Sequence, residues 1–480
     1  MITNIQNKKP LRVFFLKKIL TPLHKLEYLY VFIALGFGIV FIFLIPPGWN
    51  SDEPQHYWRV QQIVHGDVLS KNFEWSNSTW TGGPISVNST NFILSYGGYT
   101  AINDYSYRLK FPMFANNGMN TEKDNNEKVN VSFSGSARYS PVVYLPQIIG
   151  VWIADNIGAS LLFGFILAKM LGLIVQVSCF AYAIRLLPKG KWILFAVGLL
   201  PSTIVQSVAF GGDVMTTSVI VLFISLVLYA SYRPEKINKK IITSIIALIF
   251  FLGLVKIAYL PLASLIILIP ITQKRFRNIK SISALGILSV IAALPGVIWY
   301  QMTSFAKDHY SNGVDFELQK TYVIDYPLKF AKTLLRTYLT DDQPKLLKTL
   351  FGNFVWDSAP LPLIFMFAGV VILTISCFLS SPRELQIHLT KTVKTILLSM
   401  FIGLTVLISY ALYVYYTPLK STSILGIQGR YFLPILLLPL LVFHRKIERK
   451  LQIGPKVTLI SLIIIMLLSA ATVIFYRIYT

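Results

Sequence analysis

The stretch PPGWNSDEPQHYWRVQQIVHGD, Pro46–Asp67, follows directly on an apolar block, Tyr28–Pro46. A block of that length is enough to cross a bilayer. Two adjacent carboxylates, Asp52 and Glu53, stand a few residues beyond it. Charge at the edge of the hydrocarbon layer is costly to hold unless something pairs with it or uses it. The reading therefore turns on which side of the membrane this segment enters and what the two acids face.

The same alternation of apolar block and polar loop runs through all 480 residues. The chain is 54% hydrophobic and 14% charged, with a mean hydropathy of +0.60. A soluble domain carries about a quarter charged residues. The apolar residues gather in blocks of about 15 to 28 rather than alternating, so the expected fold is an all-α polytopic membrane protein. The first 27 residues are basic and polar, and no cleavable signal is expected ahead of the first span. Cys179 and Cys377 both lie in apolar blocks. They offer neither a disulfide framework nor a metal site.

A net charge of +23 invites a nucleic-acid reading, but its distribution opposes that. Six segments, 1–27, 185–192, 233–240, 273–280, 381–394 and 444–456, hold 25 Lys and Arg against 4 Asp and Glu. The two long polar segments, 47–158 and 300–357, hold 14 basic against 16 acidic residues. Lys and Arg in short loops stay in the cytoplasm. The six basic segments are therefore expected inside and the two long loops outside; the charge is a topology signal, and the expected partners include membrane lipid but no nucleic acid.

That assignment sets the parity of the spans. Eleven are expected, near 28–46, 159–186, 191–209, 213–232, 241–255, 257–272, 281–300, 358–380, 394–416, 429–443 and 457–477. The domain plan is a cytoplasmic basic segment 1–27, a first span 28–46, and a large outer loop 47–158. Spans two to seven follow over 159–300, then a second outer loop 301–357 and the last spans over 358–480. The amino terminus is inside and the carboxyl terminus outside. Residues 141–157 are apolar enough to span, but parity makes them an interfacial helix. Residues 241–272 are expected to form a short hairpin turning near Lys256–Pro261. Within the first loop, 70–110 suits short strands. In the second, Tyr326–Leu339 reads as an amphipathic helix lying on the outer leaflet.

Few residues can carry chemistry. Pro54 fits the first turn of a helix beginning at the acidic pair. On that helix Asp52, His56 and Arg59 share a face, spaced four and three apart. A carboxylate, an imidazole and a guanidinium at the lipid boundary suit a hydroxyl that needs a base and a phosphate that needs a cation. The plainer alternative is that Asp52 caps the helix, with Gln55 completing a capping box. Asp213, in an outer Gly211-Gly212-Asp213 turn, either caps the next helix or binds a sugar hydroxyl or a metal. Lys256 and Arg430 stand at outer span ends, as snorkelling anchors or as phosphate ligands. Lys169 lies about ten residues into its span and is expected to face a polar partner. No nucleotide-binding loop, HExxH or Cys/His cluster is present.

"DEPQHYWRVQQIVHGD", "LPSTIVQSVAFGGDVMTTS", "LLKTLFGNFVWDSAPLP" and "IQGRYFLPILLLPLL" resemble stations of a large family of bacterial multi-spanning proteins of unknown function, found in cell-surface polysaccharide clusters. A first span followed by an acidic pair opening a large outer loop resembles the GT-C membrane glycosyltransferases. The resemblance implies an enzyme of the bacterial plasma membrane. It would take a sugar from a polyprenyl-phosphate carrier and pass it to a cell-surface glycan or glycolipid acceptor outside. It implies Asp52 as base, or Glu53 in its place, with a divalent Mg or Mn ion as a possible cofactor on Asp52, Glu53 and Asp213. It implies Arg430 first, then Lys169, Lys256 and Arg59, as phosphate ligands. Trp356, Asp357, Gln428 and Tyr431, in the matching stations, are expected beside the substrate. The rival classes are a flippase for lipid-linked sugars, which needs charge lining a path through the bilayer, and a polysaccharide polymerase or ligase, which usually carries its large loop late in the chain.

Overall fold

The computed structural model describes residues 25–75, 78–113, 127–233, 235, 237–306, 314–341, 343–381, 384–445 and 453–480. The basic segment before Lys25, the polar run 114–126 and most of 444–456 lie outside the described residues.

The fold is mostly α-helical and polytopic. Among the described residues, six helices are long and apolar enough to cross a membrane: α1 (Leu26–Leu44), α4 (Leu161–Leu186), α5 (Asp213–Tyr232), α7 (Ile279–Met302), α11 (Lys391–Tyr416) and α12 (Ile453–Tyr479). Pro46 and Pro47, which cannot continue a helix, follow the end of α1. α5 is buried along most of its length and packs against α4 and against the helix Lys239–Val255. α6 (Lys239–Val255) and α7 meet closely at two glycines. A Cβ built on Gly296 would lie 2.3 Å from the Gly253 carbonyl carbon, so only hydrogen fits there.

Several expected spans are not continuous helices. Residues 191–209 split into Lys191–Gly198 and Pro201–Ser207, because Pro201 has no N–H to carry the first helix onward. Residues 257–272 are a 3-10 stretch, Ile257–Ile267, followed by Leu268–Thr272. Residues 429–443 begin as two 3-10 turns and become α-helical at Leu437–Phe443. The expected hairpin over 241–272 is present. α6 ends where Lys256 becomes extended. Lys256 then meets the first residue of α5, and Gln273 donates to the carbonyl of Ser231 at its other end.

The connections gather at two ends of the bundle. At one, Lys189 donates to the Ile387 carbonyl, the Lys191 N–H to Glu384, and Lys394 to the Val442 carbonyl. At the other, Arg477 near the end of α12 reaches Ser358 of the second long loop and the carbonyls of Ala101 and Tyr107 of the first. Short basic connections and long loops thus occupy opposite ends.

The first long loop opens with α2 (Glu53–Val64) and forms an antiparallel sheet of β1 (Lys71–Trp75), β2 (Ser78–Ser86) and β3 (Lys128–Ser132), in that order. It closes with α3 (Leu145–Asn156), 12 residues long and so shorter than the roughly 20 a span requires. α3 packs so tightly on α4 that a Cβ on Gly150 would touch the Ala168 backbone at 2.5 Å. In the second loop α8 (Phe316–Asp325) leads into α9 (Pro327–Arg336), and the apolar helix α10 (Leu363–Phe378) follows the loop. α9 buries Phe330 and Thr333 and leaves Leu328 and Leu335 exposed, an apolar face turned away from the protein.

Candidate functional site

The turn before α2 is built around one buried carboxylate. Glu53 is fully buried and accepts from the N–H groups of Gly48 (3.0 Å) and Asn50 (3.3 Å) and the Asn50 amide (3.1 Å). It also accepts from the Phe210 N–H at 2.9 Å, which ties this turn to the turn before α5. Lys169 stands 3.9 Å away and donates to the Ile45 carbonyl at 3.1 Å. The deep lysine thus finds its polar partners inside the bundle. Gly48 has a φ of +80°, and a Cβ there would meet the Ile93 carbonyl at 2.8 Å, so the turn requires glycine.

Saturating Glu53 leaves Asp52 available. Asp52 stands at the N-cap position with φ +63°, and its side chain does not cap the helix. The capping-box alternative is therefore not what forms. Its carboxylate turns to Arg430, at 2.8 Å, and keeps 45% of its side-chain surface exposed. The left-handed backbone, unfavourable for a residue with a Cβ, is what turns the carboxylate that way.

A second ion pair lies close by. Asp213, the first residue of α5 with Gly212 at the N-cap position, receives Lys256 at 2.8 Å. Lys256 also lies over the rings of Tyr139 and Tyr431, each at 5.6 Å, and Arg430 lies over Tyr431 at 5.6 Å. His56 sits among these charges, bonded through Nδ1 to the Tyr144 hydroxyl at 2.6 Å. Burial pushes its pKa down to about 4, outweighing the attraction of Asp52 and Asp213. The ring is a neutral wall of the site.

Arg59 does not join this face. Its guanidinium is buried and donates to Gln62 and to the carbonyls of Val68 and Tyr139, so it braces the loop instead of meeting solvent. The spacing of four and three placed it on the right side of α2. The loop's own carbonyls, invisible to periodicity, then claimed it. The proposed metal set also separates, since Asp52, Glu53 and Asp213 each have different donors. Among the described residues no three His, Cys, Asp or Glu side chains group so as to hold a metal.

Two spaces open on the ion pairs. A polar pocket is lined by His56, Gln206, Asp213, Asn353, Gln428 and Arg430, with Asp357 at its edge. Beyond Lys256 and Tyr431 lies an apolar cleft of about 870 Å³, walled by α6, α7 and α11. A further cleft of about 660 Å³ shares Pro261, Leu407 and Tyr410 with it. Together they follow α11 from Thr395 to Tyr415, about 30 Å at 1.5 Å per residue. Trp356 stands outside the groove, its indole donating to the Gly48 carbonyl at 3.0 Å.

Sequence reading missed Tyr139 and Tyr144, which wall His56, and Gln206 and Asn353, which line the pocket. It also missed Arg477, which is buried against Trp49 and both long loops. Gln206 and Asn353 lie within stretches that carry the family resemblance, and Arg477 stands out as a cation near the end of the last span.

A family model described as a predicted membrane protein (DUF2142) matches residues 35–439. No curated protein and no solved structure matches the chain.

Proposed function

The chain belongs to this family of predicted membrane proteins, and from its geometry we propose that it is a GT-C-type glycosyltransferase. It moves a sugar from a polyprenyl-phosphate carrier to a glycan or glycolipid acceptor on the outer face of a bacterial plasma membrane. The observation that carries the reading is the junction at Asp52. A partly exposed carboxylate and two cations stand where a polar pocket meets an apolar groove long enough to cross the bilayer. A lipid tail suits the groove, its phosphate suits Lys256 and Arg430, and a sugar suits the polar side. The long loops are outside in this reading because the basic connections favour the cytoplasm.

The chemistry is a single displacement. The acceptor oxygen attacks the anomeric carbon while Asp52 takes the hydroxyl proton. The bond from that carbon to the phosphate oxygen breaks, and the phosphate leaves with both electrons, stabilised by Lys256 and Arg430. In the free protein Arg430 is bound to Asp52. A donor phosphate that draws Arg430 away frees the Asp52 carboxylate to meet the acceptor hydroxyl. Donor binding then makes the base. A flippase has less support, since Lys169, the deep cation, is already engaged by Ile45 and Glu53.

Asp52→Asn keeps the shape and removes the proton acceptor. In membranes supplied with a polyprenyl-phosphate sugar, transfer is expected to fall at least about a hundredfold, with insertion and expression unchanged. Retained transfer overturns the assignment.

A further inference from the structure

The polar pocket is lined by amides that the protein leaves unused. Gln206, Asn353 and Gln428 are half-buried, and none makes a side-chain hydrogen bond among the described residues; the Asn353 side-chain oxygen is buried with no partner. Buried amides are normally satisfied, and each exception asks for an explanation. Asp357, at the pocket edge, is likewise without a hydrogen bond or ion pair among the described residues. The lining cations are not free: Arg430 holds Asp52, and Lys256 behind it holds Asp213.

The segment that presents Asn353 and Asp357 is a short hairpin, with Asn353–Phe354 paired to Ala359–Pro360. Its tip places Val355, Trp356 and Asp357 at φ +54°, +55° and +62°. Three successive non-glycine residues in the left-handed region are strained, and for a β-branched valine that conformation is an outlier. The hairpin is held by contacts outside itself. Val355 is buried, the Trp356 indole donates to the Gly48 carbonyl, and the Trp356 ring lies 5.5 Å from that of Tyr99. Gly48 in turn donates to Glu53. The hairpin is thus registered to the turn that aims Asp52.

We propose that this hairpin, with Gln206 and Gln428, forms the subsite for the transferred sugar and selects an uncharged ring over one bearing a carboxylate. This rests on the donor reading above. Amides both donate and accept, which matches hydroxyl and acetamido groups. Asp357 accepts from hydroxyls and repels a second carboxylate; the lining cation, Arg430, is held by Asp52, and Lys345, whose charge is felt at Asp357, stands outside the lining.

The test is binding by the full chain in lipid nanodiscs, using farnesyl phosphate bare or carrying glucose, N-acetylglucosamine or glucuronic acid. The bare lipid phosphate is expected to bind, and Lys256→Gln to weaken it. The glucose and N-acetylglucosamine forms should bind more tightly than the glucuronic acid form. Gln428→Ala and Asn353→Ala should each weaken the two neutral forms about three- to tenfold and leave the bare phosphate unchanged. Asp357→Asn should narrow the preference for glucose over glucuronic acid. If the bare phosphate binds but all sugars bind alike in wild type and variants, the sugar subsite is overturned and the donor reading survives. If the bare phosphate does not bind, both fall.

Discussion

Asp52 and Glu53 are neighbours with the same functional group, yet the fold makes them different chemical species. Glu53 collects four donors in a dry interior, whereas Asp52 has one partner and nearly half its surface open. Removing a buried charge's partner leaves the other group uncompensated. Glu53→Ala is therefore expected to cost about 3–5 kcal/mol, read as a lowered midpoint of thermal unfolding in detergent, while Asp52→Asn leaves that midpoint nearly unchanged. His56 makes a pH prediction of definite sign. The unfolded ring takes a proton near pH 6.5 and the native ring only near pH 4. Between those values the unfolded state binds more protons, so stability falls as pH is lowered through that window. His56→Gln should flatten this part of the profile, which thermal unfolding between pH 4 and 7 will check. The acidic pair was legible as a feature of the sequence. Which acid is buried was not, because it depends on the Phe210 N–H, 157 positions away in the chain.

At the scale of elements, hydropathy located the helices better than it described them. α1, α4, α5, α7, α11 and α12 lie where apolar blocks of span length lie. The blocks at 191–209, 257–272 and 429–443 proved to be broken or 3-10 segments, since hydropathy counts apolar residues and is indifferent to how the backbone bonds. Proline left some trace of this, at Pro201, Pro261 and Pro434. The α6–α7 contact left less, because a lone glycine in a span reads like any small residue. Gly296→Val should force the two helices apart at Gly253 and cost about 1–3 kcal/mol. Gly286→Ala, on the same helix with nothing within 4 Å of the added carbon, should leave the unfolding midpoint unchanged or slightly raised. An unchanged midpoint for Gly296→Val would mean that this contact does not hold the pair.

For the whole molecule the decisive quantity is the sidedness of charge. With Cys179 and Cys377 replaced by alanine, a membrane-impermeant maleimide should label Ser78→Cys in intact cells. Lys274→Cys should react only after the cells are opened. The opposite pattern would put Asp52 in the cytosol and end the proposed reaction. The membrane class, the long helices and the separation of basic connections from long loops could all be read from the chain alone, and Asp52, Lys256 and Arg430 could be singled out there as candidates. These depend on composition and local order, which a linear sequence carries in full. Tertiary structure alone decided that Arg59 braces a loop, that Asp52 pairs with Arg430, and that unused amides surround a pocket at the head of an apolar groove. Each of these is a meeting of residues far apart in the chain, settled by which donors and acceptors packing leaves within reach.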